Sequence, residues 1–318
     1  MFRPSFAAGA VTCTLAGLLS GSAFAQAYPT KPIRVICPPG GGTDLVARLL
    51  AQGISGPLGV QVIVDNRPTQ LTGPIVMTSA PDGHTLLLNG SSFWLAPLLQ
   101  TKPNYDSIRD FAPITLLTTS PSLLVIHPSL PAKTVKELIT LMKSRPGKLD
   151  YGSNAPGSPS HLAGELFKSL AGVDFVRIPY KSNSYAITAT LSGEVQMTIA
   201  AAAATMPHVT AGRLRALAIA SEKRSVLAPG MPTVAETVPG YTASSTYGLL
   251  APAGTPAAII NRLNQEVVKF LTSASVKERL LQSGAEVVGS TPEELRSTIA
   301  SDLKIWGKVI KDAGITAE

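Results

Sequence analysis

Three glycines, a threonine and an aspartate, Gly40-Gly41-Gly42-Thr43-Asp44, follow the apolar run Val35-Ile36-Cys37 and the pair Pro38-Pro39. An amphipathic stretch begins at once behind them. A strand that opens through glycines into a helix leaves the first backbone N–H groups of that helix without partners, at the positive end of its dipole. Glycines let a ligand come close to those groups. The chemistry such a segment offers is the binding of a carboxylate or phosphate, and each hydrogen bond to a charged group is worth about 1.5–3 kcal/mol. The plainer alternative is a tight turn with Thr43 as its cap. The spacing is not that of a dinucleotide site: G-x-G-x-x-G from Gly40 would need glycine where Leu45 stands.

Two further polar segments have the same character. Tyr151-Gly-Ser-Asn154-Ala-Pro-Gly157-Ser158-Pro159-Ser160-His161 leads into an apolar helical pattern, with Ser158 as N-cap and Pro159 at the first helical position. Asn89-Gly-Ser91-Ser92 stands directly after a strand. Two helix beginnings facing one another across a cleft would hold a small dianion, or one acidic end plus a polar tail. Each segment can also be read as an ordinary capped loop or turn.

Sets for catalysis are poor. No G-x-S-x-G surrounds Ser153, Ser158 or Ser160. His84, His127, His161 and His208 fall in no metal-binding spacing, so no metal is expected. Asp44 reads as a helix-start or ligand-orienting residue rather than a general base. An activated nucleophile with its base is not displayed, and the chain is not expected to be an enzyme. Cys37, once the leader has gone, is a lone cysteine at a strand end and reads as a small core residue.

The elements that must position these loops follow from periodicity and caps. Strands are expected at 33–37, 60–64, 85–89, 114–118, 122–126, 175–179, 195–199 and 215–220. A helix is expected over 44–54. Thr134 to Glu137 and Thr291 to Glu294 are capping boxes, the first opening a helix to about Ser144 and the second a long last helix ending near Gly314. Strands and helices alternate, so the class is α/β with largely parallel sheets. Two lobes are expected: 28–126 plus 245–318 as lobe I, and 127–244 as lobe II. The 318 residues can bury a sizeable core.

Residues 1–25 read as an export leader: Arg3 is the positive start, Ala7 to Leu19 is mostly apolar, and cleavage follows Ala25 or Ala27. That apolar segment is short for a membrane span. The mature chain is expected to be exported to the periplasm and soluble. The 27 Lys and Arg against 20 Asp and Glu give a net charge of +7, or +6 without Arg3. The excess forms no basic block, which argues against nucleic acid and is compatible with anionic ligands.

Tyr28-Pro-Thr-Lys-Pro-Ile-Arg34, Pro38-Pro-Gly-Gly-Gly-Thr-Asp44, Val64-Asp-Asn-Arg-Pro68, Ala80-Pro-Asp-Gly-His-Thr85, Asp110-Phe-Ala-Pro113, Gly157-Ser-Pro-Ser-His-Leu-Ala-Gly164, Pro179-Tyr-Lys181, Ala211-Gly-Arg-Leu-Arg-Ala-Leu217 and Gly248-Leu-Leu-Ala-Pro-Ala-Gly-Thr-Pro256 occur in this order. Each is weak alone. Together they resemble the solute receptors of tripartite tricarboxylate transporters, the Bug-type periplasmic binding proteins, over essentially the whole mature chain. The resemblance implies a two-lobe periplasmic binding protein fold of type II-like form, each lobe a mostly parallel sheet flanked by helices, hinged about a cleft. It implies a small carboxylate as ligand, held by backbone N–H groups and hydroxyls from one loop per lobe, with no cofactor. The partners it implies are the permease subunits in the membrane.

By that resemblance the ligand would meet Pro39, Gly40, Gly41, Gly42, Thr43 and Asp44 from the first loop, and Ser91 and Ser92 from the third segment. Asn154, Gly157, Ser158, Pro159, Ser160 and His161 would meet it from the second lobe, together with Tyr180, Ala200 and Ala201. The chain departs from the family at several places. Thr69-Gln-Leu-Thr72 stands where the family has a glycine-rich loop bordering the cleft, Ser182 replaces a glycine, and Ser192-Gly-Glu-Val-Gln196 replaces Gly-Gly-Gln-Val-Asp. A bland run, Ala200 to Ala204, supplies the ligand side, and Thr246 replaces a frequent Trp. Without an acidic residue there, an aromatic or alkyl acid is expected in preference to an amino acid. A monomer is expected. A receptor that signals through a sensor protein is the alternative, and a secreted hydrolase the remote one.

Overall fold

A computed structural model describes residues 28–316; the expected leader lies outside the described residues. The chain first builds β1 (Ile33–Cys37), α1 (Gly41–Leu58), β2 (Val62–Asn66), α2 (Thr69–Met77), β3 (Thr85–Gly90), the short α3 (Ser91–Leu95) and β4 (Phe111–Ser120). It then crosses to β5 (Ser122–Ile126), α4 (Val135–Ser144), β6 (Asp150–Ser153), α5 (Pro159–Ala171), β7 (Val176–Pro179), α6 (Asn183–Ser192), β8 (Met197–Ala201), α7 (Ala202–Thr210) and β9 (Arg215–Ile219). It returns through β10 (Ser245–Pro252), α8 (Ala257–Leu271), α9 (Ala274–Gln282), β11 (Glu286–Val287) and α10 (Pro292–Asp312).

Two sheets result, in the orders β11-β4-β10-β3-β1-β2 and β7-β6-β8-β5-β9. Pairing is parallel within β1, β2 and β3 and within β6, β7 and β8. These are the βαβ parts, where a crossover helix returns each strand in the same direction. The strands near the lobe crossings, β4, β5 and β10, pair antiparallel to their neighbours. The pairing of β5 with β8 and β9 puts it in the second sheet. The first crossing is therefore at Pro121, not after residue 126 as the sequence suggested. Proline has no N–H to add to either ladder, so the chain can leave one sheet and enter the other there. Ser245 pairs with Ser120, so the return crossing lies beside the first.

Burial explains the elements. Ile33, Val35, Ile36 and Cys37 are all wholly buried, which suits a strand covered on both faces. Ile260, Leu263, Val267 and Leu271 form one stripe of α8 and pack with Leu50, Ile54, Leu86 and Leu249 as the core of the first lobe. A larger cluster runs from Ile36, Leu87 and Trp94 through Ile299, Trp306 and Ile310 of α10 to Leu162, Leu166 and Phe167 of α5. The last helix thus belongs to both lobes. Its start is secured by the capping box of Thr291 and Glu294, with both reciprocal bonds present.

Candidate anion site between the lobes

A cavity of about 310 Å3 lies between the ends of β3 and β10 in the first sheet and the start of α5, lined by Pro38, Gly42, Thr43, Thr69, Asn89, Gly90, Ser91, Ser92, Pro159, Ser245, Thr246 and Tyr247. None of these side chains carries a charge. Four helices begin here: Gly42 and Thr43 are in the first turn of α1, Thr69 is the first residue of α2, Ser91 the first of the short α3, and Pro159 the first of α5. The loop expected from the first lobe and the one expected from the second therefore meet at one cavity.

The first loop opens α1 on glycine, and the Asp44 carboxylate accepts the Gly40 N–H. Gly40 precedes α1 with φ 72°, a left-handed value that favours glycine, and no side chain caps the helix. Asp44 does not line the cavity. Its carboxylate accepts from Arg48 Nε at 3.0 Å and from Asn66 Nδ2 at 2.9 Å, and these bonds hold its pKa below the usual carboxylate range. Asn66 Nδ2 also reaches Pro38 O at 3.4 Å. Asp44 and Asn66 thus tie the loop down from behind. Gly42 lies under the ring of Tyr247: a Cβ there would be 2.6 Å from the hydroxyl oxygen. Glycine is needed at this position for close approach, not for its φ.

The third segment is anchored from below. Asn89 is buried, donates from Nδ2 to Thr72 Oγ1 at 3.1 Å and accepts the Gly90 N–H at 2.8 Å. This leaves Ser91 and Ser92 at the cavity wall.

The second-lobe loop differs from expectation. Ser158 Oγ accepts the His161 N–H at 3.3 Å, and Ser160 Oγ accepts the Asn154 N–H at 3.0 Å with its residue buried. Each hydroxyl oxygen thus accepts a bond that shapes the loop; the two lie 3.4 Å apart, and if one donates to the other, one O–H is still left as a donor. His161 Nδ1 accepts the Gly157 N–H at 3.0 Å, and the ring is buried, which pushes its pKa down to about 4. It opens instead on a separate cavity beside Glu165, Lys168 and Arg177. Arg177 donates to Ser153 Oγ and Asn154 O, so it too holds the loop. Pro159 has no N–H, so α5 offers fewer free donors to the cleft than α1 does.

Three other expected residues lie elsewhere. Tyr180 donates its hydroxyl to Glu194 at 2.8 Å and lines neither this cavity nor its neighbour. Ala200 is buried against Leu123 and Ile219, and Ala201 is exposed at the end of β8 without lining the cavity. A strand alternates its faces, and a run of alanines gives no signal of which face is which. Pro39, Gly40 and Asn154 shape the loops without lining the cavity. Pro38, Thr69, Asn89, Gly90, Ser245, Thr246 and Tyr247 line the cavity beyond the residues expected at the ligand. Thr69 could have been found from the departure at residues 69–72. Tyr247 arrives from the far end of the chain, and no local pattern marks it.

The chain matches the family model of the tripartite tricarboxylate transporter family receptor over residues 46–315. BugT of Bordetella pertussis is 38% identical over 300 residues, with 91% of each chain covered. A solved R. palustris protein with adipate is 34% identical with a TM-score of 0.72, covering 91% of this chain and 99% of that one. MatC from Rhodopseudomonas palustris, with bound malate, is 30% identical with a TM-score of 0.69, covering 89% and 100%. The chain belongs to the tripartite tricarboxylate transporter receptor family, whose members are solute-binding receptors of two-lobe α/β fold.

Proposed function

We propose that the mature protein is a periplasmic receptor that captures a small carboxylate between its lobes and delivers it to the permease subunits of a tripartite transporter. The observation that carries this reading is the uncharged cavity of about 310 Å3 on which α1, α2, α3 and α5 begin. Partial positive charge at helix starts attracts an anion, and hydroxyls of Thr43, Ser91 and Ser92 can complete its shell. Adipate in one relative and malate in another support carboxylates as the class. Contacts from both lobes favour the closed arrangement, so ligand shifts the population toward it. The closed form would be what the permease recognises.

Calorimetric titration tests the anion site. Adipate, malate or benzoate should bind saturably, and the matching amide at least tenfold more weakly. Equal affinity for acid and amide would contradict the reading.

A further inference from the structure

Beside the cleft lies a second cavity of about 380 Å3, and Ser91, Ser92, Pro159 and Thr246 line both. Its walls come from both lobes and from α10. Leu95, Leu99, Leu162, Ile305 and Trp306 make much of it apolar, while Asp302 and Glu222 are its ionisable groups. No Lys, Arg or His lines it. It is thus acidic, next to a cleft built for an anion.

Asp302 is half-buried and is held from one side. Its Oδ2 accepts the Trp94 indole N–H at 2.8 Å, and among the described residues no cation pairs with it. An ionised carboxylate offers about four acceptor sites, and the Trp94 N–H fills one of them. Burial pushes its pKa up to about 6, which reflects the missing partner. On the wall common to both cavities, Thr246 Oγ1 is buried and has no hydrogen-bond partner. A carboxylate without a cationic partner and a hydroxyl without any partner thus stand along one path.

We propose that this annex receives the far end of the ligand and selects an ω-amino carboxylate, with its carboxylate on the helix starts, its methylenes along Leu95, Leu99 and Ile305, and its ammonium against Asp302. The proposal rests on the carboxylate-receptor reading above. An ammonium would stabilise the buried carboxylate, whereas a second carboxylate of a long diacid would meet a like charge.

The test is calorimetric titration of 4-aminobutyrate, 5-aminopentanoate and 6-aminohexanoate beside butyrate, pentanoate, hexanoate and adipate. In the wild type, one of the amino acids should bind at least tenfold more tightly than the alkanoate of equal length and than adipate. Asp302→Asn keeps an oxygen for the Trp94 N–H. It should cut that advantage, measured against the alkanoate of equal length on the same variant, tenfold or more. Alkanoates or adipate binding as tightly as every amino acid would overturn the annex, as would an Asp302→Asn variant that keeps the preference. Those outcomes leave the cleft reading intact. Failure of every carboxylate to bind would overturn both.

Discussion

Gly42→Ala should damage binding far more than folding. The new Cβ would lie 2.6 Å from Tyr247 Oη and 3.0 Å from Cε2 and Cζ. Carbon contacts settle at about 3.5–4.0 Å, so the tip of the ring must move by about 1 Å. Crowding of this kind costs about 1–3 kcal/mol. The backbone of Tyr247 is pinned by pairing with Gly90 on one side and Thr118 on the other, so the ring must rotate, and it does so at the cavity wall. Alanine is the better helix former by up to about 1 kcal/mol, which offsets part of the cost to the fold. Stability should then change by about 1 kcal/mol or less, while affinity falls by about 10–100-fold, or about 1.4–2.8 kcal/mol. Titration with adipate and urea unfolding would measure the two. In a Tyr247→Ala background the same substitution should cost less than threefold, because the clash is gone. An unchanged affinity for Gly42→Ala, or an equal loss in both backgrounds, would refute the placement of Tyr247 over the helix start.

Thr43→Ala should weaken carboxylate binding with little change in stability, whereas Ser158→Ala should lose about 1 kcal/mol of stability through the cap with a smaller effect on affinity; paired titration and urea unfolding separate them. His161 has its folded pKa lowered from 6.5 to about 4. The neutral ring stabilises the fold above pH 6.5, and that contribution, up to about 3 kcal/mol, is lost as pH falls from about 6.5 to 4. Replacing His161 by Gln should flatten this part of the urea-midpoint profile. Gly157 has φ 73°, and a Cβ there would sit 2.8 Å from Leu99 of the other lobe. Gly157→Ala should therefore hinder approach of the lobes, seen as a larger radius of gyration with ligand in small-angle scattering.

What could be read from sequence was the local chemistry. Thr134, Ser158 and Thr291 cap their helices where expected, because each cap is decided within four residues. The buried strand β1 was legible as an apolar run between prolines. The start of α1 was expected at Asp44 and lies at Gly41. Glycine argues against helix by propensity, and here position overrides it. Helix α2 was illegible because Gly73 and Pro74 sit within it. The cleft wall formed by Ser245, Thr246 and Tyr247 depends on the return crossing, a tertiary fact. The same is true of the annex, since Asp302 meets Trp94 across 208 positions of chain.

In the proposed receptor, amides at the start of α1 hold the ligand carboxylate. Amide proton–nitrogen correlation spectra during titration with adipate test it directly. The Gly41, Gly42 and Thr43 N–H signals should move strongly downfield and saturate together with the calorimetric curve. Saturable binding that leaves those three signals unmoved would contradict it.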